Sequence, residues 1–144
     1  MGLEVLSGYF KMTRIKFCGI TNIKDARTAV KLGVDALGFI FAESLRQISP
    51  HKAKAIISAL PPFVSCVGVF KDEAPEKILE IASFCGIDTI QLHGSEPPAT
   101  LSKLRRFRII KTIHIQSARD LNTLTNYQAD AFLFDTKIGN KVGG

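Results

Sequence analysis

Apolar positions along this chain form short, nearly continuous runs, and stretches of helical period separate them from end to end. The runs at residues 14–18, 36–41, 65–70, 89–93, 108–113 and 131–135 predict β-strands covered on both faces. The stretches at 23–32, 50–60, 75–84, 97–107 and 118–127 predict helices between them. Pro50, Pro75 and Pro97 stand where a first helical turn tolerates proline, and Gly33 and Gly86 follow two of the helices as caps. In the first helix Ala26, Ala29, Val30 and Gly33 make a slim apolar face suited to packing on a sheet. Repeated strand–helix units with short links imply parallel strands joined by right-handed crossovers.

Two architectures satisfy that pattern, an open doubly wound sheet and a (β/α)8 barrel. The open sheet commonly carries a glycine-rich phosphate turn, and neither GxGxxG nor GxxxxGK[ST] occurs here. A barrel puts reactive side chains on the carboxyl ends of several strands. Two strands end that way: Arg14-Ile15-Lys16-Phe17-Cys18 stops on a thiol before Gly19, and Leu133-Phe134-Asp135 stops on a carboxylate. The barrel is therefore the expected fold.

With 46% hydrophobic and 22% charged residues, the 144-residue chain has the composition of one globular domain. No apolar run approaches the roughly 18 residues of a membrane span, and MGLEVLSGYF makes a poor secretory signal. Residues 1–11 are expected to be an extension of doubtful structure, with the barrel domain running from 12 to 144. The formal charge of +6 is spread along the chain and would help attract an anionic small molecule. The one dense basic cluster, Lys103, Arg105, Arg106 and Arg108, reads as a solvated helix end. With no Trp, only two Tyr and a single aromatic, Phe107, among those cations, nucleic acid is a poor partner. Three cysteines without metal-type spacing fit a reducing cytoplasm; Cys66 and Cys85 read as core thiols.

Cys18 is the candidate base or nucleophile. A free thiol has a pKa of about 8.5, and Lys16, on the same strand face, would favour the thiolate. Asp135 is the candidate acid, since a carboxyl desolvated beside an apolar strand holds its proton more tightly. Arg46, in Glu43-Ser44-Leu45-Arg46-Gln47, is placed to clamp a substrate carboxylate. His93, in Gln91-Leu92-His93-Gly94, ends a strand facing a site or the core, while His51 and His114 need no role.

The ordered segments IKFCGIT, DARTAVKLGVDALGFIF, SLRQISPHKA, VGVF, QLHGSE and FLFDTKIGNKVGG together resemble phosphoribosylanthranilate isomerase, a (β/α)8-barrel family of tryptophan biosynthesis. The resemblance implies a cytoplasmic enzyme using neither cofactor nor metal, with Asp135 as general acid and Cys18 as general base. It also implies that Arg46 holds the anthranilate carboxylate of the small-molecule substrate and that His93 contacts substrate. Leu45 departs from the family's usual Ser-Pro-Arg, which bears on the rigidity of that loop. Against the family's eight strands, six are expected here, with Gly143 and Gly144 the only part of the phosphate-binding region. An incomplete barrel of this kind is expected to turn over weakly or not at all. Its exposed edges would favour self-association, and the competing expectation is a non-catalytic half-barrel that folds only against a partner or itself.

Overall fold

The computed structural model describes residues 13–138 and 141–142; the extension expected at 1–11, and Gly143-Gly144, lie outside the described residues. The strands are β1 (Lys16–Cys18), β2 (Ala36–Ile40), β3 (Ser65–Phe70), β4 (Thr89–Leu92), β5 (Arg108–Ile115), β6 (Ala131–Ile138) and β7 (Lys141–Val142). The helices are α1 (Ile23–Lys31), α2 (Pro50–Ile57), α3 (Pro75–Cys85) and α4 (Pro98–Lys103). A doubly wound sheet reverses its strand order at a switch point. Here β1 to β6 pair strictly in sequence and all in parallel, so every crossover advances the same way and the six strands form a half-barrel.

Register divides the strand residues between two faces. Lys16 and Cys18 align with Ala36 and Gly38, Gly38 with Val67, Val69 with Gln91, and His114 with Asp135. These residues line the concave face. In the inner strands the alternate positions Leu37, Phe39, Ile90 and Leu92 are buried under the helices with Ala26, Ala29, Ile56, Ile78 and Leu101, whereas Phe17 in β1 and Phe134 in β6 are exposed. Alanines at the α1 contact let that helix lie close to the sheet, as its slim face requires.

Several boundaries differ from expectation for local reasons. The fourth helix starts at Pro98, with Pro97 as its cap, and ends at Lys103. The stretch Ala118–Asn126 is a 3₁₀ segment, not an α-helix. Its hydroxyls bond back three residues, Thr123 Oγ1 to Asp120 O at 2.7 Å and Thr125 Oγ1 to Asn122 O at 3.2 Å, which suits the tighter turn. Strand β7, unforeseen, pairs antiparallel with the end of β6. The basic cluster takes up structural contacts: Arg105 bonds Gln128, Arg106 bonds Ser83 Oγ at 2.5 Å, and Lys103 pairs with Glu76 at 3.4 Å.

Candidate active site

Cys18 stands at the carboxyl end of β1 because the chain turns immediately after it. Gly19 takes φ +88°, and the Gly19 and Ile20 amides both donate to Gly38 O, at 2.9 and 3.0 Å. Asn22 then caps α1, its Oδ1 accepting from the Asp25 amide at 2.8 Å. Gly38 leaves room for the thiol: a Cβ there would meet Cys18 Sγ at 2.7 Å and Lys16 Nζ at 3.2 Å. The expected neighbourhood of Lys16 and Cys18 is thus present, both side chains lying over the same glycine.

Arg46 reaches back onto this turn. Its Nη1 donates to Cys18 O at 2.9 Å and its guanidinium lies over Gly19, where a Cβ would approach within 2.8 Å. The loop that carries it is stapled without the family's proline. Ser44 Oγ accepts from the Arg46 amide at 3.2 Å, Gln47 Nε2 donates to Phe41 O at 2.9 Å, and Ile48 N donates to Ile40 O at 2.9 Å. Leu45 is fully exposed, so the departure at that position disturbs no packing.

Asp135 lies on the concave face of β6, three residues before the strand's end, and its Oδ2 lies 3.3 Å from His93 Nε2. His93 Nδ1 in turn lies 3.0 Å from Gln91 Nε2 and 3.2 Å from Thr112 Oγ1. Burial pushes the His93 imidazole below its usual pKa and the adjacent His114 ring adds to this, with the Asp135 carboxylate only partly opposing them. A neutral ring admits two proton arrangements. Either Gln91 donates to Nδ1 and Nε2–H donates to ionised Asp135, or Nδ1–H donates to Thr112 and Nε2 accepts from protonated Asp135. The second stores a proton on the carboxyl.

Cys18, Arg46, His93 and Asp135 all line one cavity of about 310 Å³ at the carboxyl ends of the strands, with Glu43, Lys71 and Gln91. A larger cavity of about 560 Å³ lies at the opposite ends, against Lys16, Val67, Ile110 and Leu133. It is mostly apolar and far from the catalytic rim of such folds. The other two thiols behave as core residues: Cys66 is buried, its pKa raised to about 11 by burial and the nearby Asp88 carboxylate, and Cys85 Sγ donates to Pro50 O at 3.3 Å.

Sequence reading passed over three contributors. Gln91 sits two residues before His93, hence on the same face, and Lys71 directly follows β3. His114, set aside above, donates from Nε2 to His93 O at 3.1 Å, and its ring meets that of His93 edge-on. Beneath them Glu96 and Lys111, each 2% exposed at the side chain, form an ion pair of 2.7 Å. Glu96 also accepts from the Asp72 and Gly94 amides at 3.0 Å, and Lys111 donates to Gly94 O at 2.7 Å. Burial would raise the Glu96 pKa, but Lys111 and the Asp72 amide outweigh it and hold the carboxyl below its ordinary value. This clamp fixes the loop that follows His93.

Comparison with known proteins agrees with the motif order. Residues 15–144 match the family model described as N-(5'phosphoribosyl)anthranilate (PRA) isomerase. The chain is 46% identical over 134 residues to an N-(5'-phosphoribosyl)anthranilate isomerase from Moorella thermoacetica, spanning 92% of this chain and 60% of that protein. It superposes on the crystal structure of phosphoribosyl anthranilate isomerase from Thermotoga maritima with a TM-score of 0.85 at 45% identity, covering 90% of this chain and 64% of that one. A further isomerase structure, in complex with reduced 1-(o-carboxyphenylamino)-1-deoxyribulose 5-phosphate, matches with a TM-score of 0.83 at 45% identity, covering 88% and 66%. The chain thus spans about three fifths of the length of the relatives it matches. Motif order, sequential parallel strands and these similarities agree: the chain belongs to the N-(5'-phosphoribosyl)anthranilate isomerase family.

Proposed function

We propose that this cavity isomerises N-(5'-phosphoribosyl)anthranilate to 1-(o-carboxyphenylamino)-1-deoxyribulose 5-phosphate, an Amadori rearrangement of tryptophan biosynthesis. Asp135 gives its proton to the furanose ring oxygen, the C1′–O bond breaks, and the nitrogen lone pair forms the C1′=N bond of a Schiff base. Cys18, as thiolate, takes the C2′ proton; the electron pair left behind forms C1′=C2′ and neutralises the iminium as an enolamine. Cys18 then returns its proton to C1′ while the C2′ hydroxyl gives its proton to the Asp135 carboxylate, so that C2′=O of the ketone forms and both groups are restored. Every step is a proton transfer, so the reading needs no cofactor. Arg46 pairs with the anthranilate carboxylate at the rim, and His93 holds Asp135 beside the substrate.

One observation carries this reading: a thiol from β1 and a carboxyl from β6 line the same small cavity, with a guanidinium bonded to the Cys18 carbonyl also lining it. The relative bound to the reduced product analogue supports the substrate class. The three free thiols suit a reducing cytoplasm. Among the described residues no helix is long and apolar enough to cross a membrane. Exposed Ile15 just before β1, Phe17 on it and Phe134 on β6 support self-association.

Fluorescence-monitored consumption of N-(5'-phosphoribosyl)anthranilate by the purified chain tests the reading. Turnover above the uncatalysed rate is expected. Arg46→Ala should raise KM roughly 10- to 150-fold, the worth of about 1.5–3 kcal/mol for a charge-assisted contact, with a smaller change in kcat. A wild-type rate equal to that of buffer alone overturns it.

A further inference from the structure

One donor atom from each of His93, His114 and Asp135 lies within 4.8 Å of the others, at the end of three side chains from adjacent strands. Isomerisation uses only the Asp135 carboxyl and its partner His93, and leaves the third donor unexplained. His114 Nε2 donates to His93 O at 3.1 Å, which forces the lone pair of a neutral ring onto Nδ1. That Nδ1 is buried and meets no hydrogen-bond partner among the described residues. A backbone carbonyl fixing one nitrogen while the other stays free is how ligating histidines are oriented. On His93, Thr112 Oγ1 at 3.2 Å can accept from Nδ1–H once the Gln91 amide, 3.0 Å away, presents its unpartnered Oε1 there in place of Nε2, which frees the His93 Nε2. Nε2 then faces Asp135 Oδ2 at 3.3 Å, two acceptors needing something positive between them. Two ligands about 2.0–2.1 Å from a tetrahedral zinc stand roughly 3.4 Å apart, which matches this separation.

We propose that His93 Nε2, His114 Nδ1 and Asp135 Oδ2 form a binding site for a zinc-class divalent cation, which takes the place of the proton otherwise shared by His93 and Asp135. Two imidazoles and one carboxylate select Zn²⁺ over the oxygen-seeking Mg²⁺. The fourth position opens to the cavity that His93 and Asp135 line. Occupancy converts Asp135 from proton donor to metal ligand, so the cation would inhibit isomerisation. That consequence rests on the function proposed above; the binding does not.

Calorimetric titration of the 144-residue chain with ZnCl₂, and separately with MgCl₂, tests the site without reference to turnover. One Zn²⁺ per chain is expected, weakened at least about tenfold by either His114→Gln or Asp135→Asn, with no comparable Mg²⁺ binding. In case a variant unfolds, long-range ¹H–¹⁵N spectra of wild-type histidine rings read the same contacts. Zn²⁺ should shift His93 Nε2 and His114 Nδ1 and leave His51 unmoved. No stoichiometric binding, binding that survives both substitutions, equal binding of Mg²⁺, or histidine signals indifferent to Zn²⁺ would each overturn the proposal. Zn²⁺ binding by a chain without isomerase activity would remove the function proposed above and leave the site standing.

Discussion

At Gly38 a methyl group would sit 2.7 Å from Cys18 Sγ, closer than side-chain atoms approach each other, so an alanine there must push the thiol aside. The position lies on the concave face, in register with Cys18 itself. Gly38→Ala is therefore expected to lower kcat at least tenfold through a displaced base, with a stability loss of about 1–3 kcal/mol from overpacking. Steady-state kinetics together with urea unfolding separates the two effects. Normal kcat in a folded Gly38→Ala variant would show that the thiol's placement does not matter. The placement of Cys18 was legible from sequence because it ends an apolar strand before a glycine turn, and that of Asp135 because it closes the apolar part of β6, although the strand itself runs on to Ile138. His114 was not, because its value comes from a neighbouring strand's carbonyl and carboxylate, contacts that no local pattern reports.

Among the elements, the loop after β4 depends most on a single buried interaction. Lys111 comes from β5, Glu96 from the loop itself between β4 and α4, and Gly94 and Asp72 supply the backbone they share. Removing one partner of such a pair strands the other charge, so Lys111→Met is expected to destabilise the fold by about 3–5 kcal/mol by urea unfolding. Adding Glu96→Gln should recover part of that loss. The pair also sets a pH dependence. The folded-state pKa of Glu96 lies below its unfolded value of about 4.3, so its stabilisation is complete above that pH and is lost as pH falls through the folded value. Acid titrations of stability should show a shallower decline for Glu96→Gln, and an unchanged profile would contradict the assignment. Strand positions were legible because buried parallel strands are bare apolar runs. The 3₁₀ segment was not, since hydroxyl back-bonding rather than periodicity set its pitch. Strand β7 escaped because a two-residue strand carries no apolar run.

For the whole molecule, the described sheet stays open. Among the described residues β1 pairs only with β2, and Ile15 just before β1, Phe17 on it and Phe134 on β6 remain 46%, 46% and 55% exposed. The barrel-type order was legible because links are short and no phosphate-binding turn interrupts them. Apolar edges of this kind are expected to drive concentration-dependent association, read as rising mass by light scattering. Phe17→Lys with Phe134→Lys should reduce it; a chain that is monomeric throughout would contradict this. The convergence of β1 and β6 on one cavity is also a whole-molecule property, and it gives the proposed acid and base their common substrate. The kcat for N-(5'-phosphoribosyl)anthranilate in wild type, Cys18→Ala and Asp135→Asn tests that convergence most directly. The pairing predicts losses of about 10²–10⁴-fold in each variant while the fold persists; a turnover rate that neither substitution alters would contradict it.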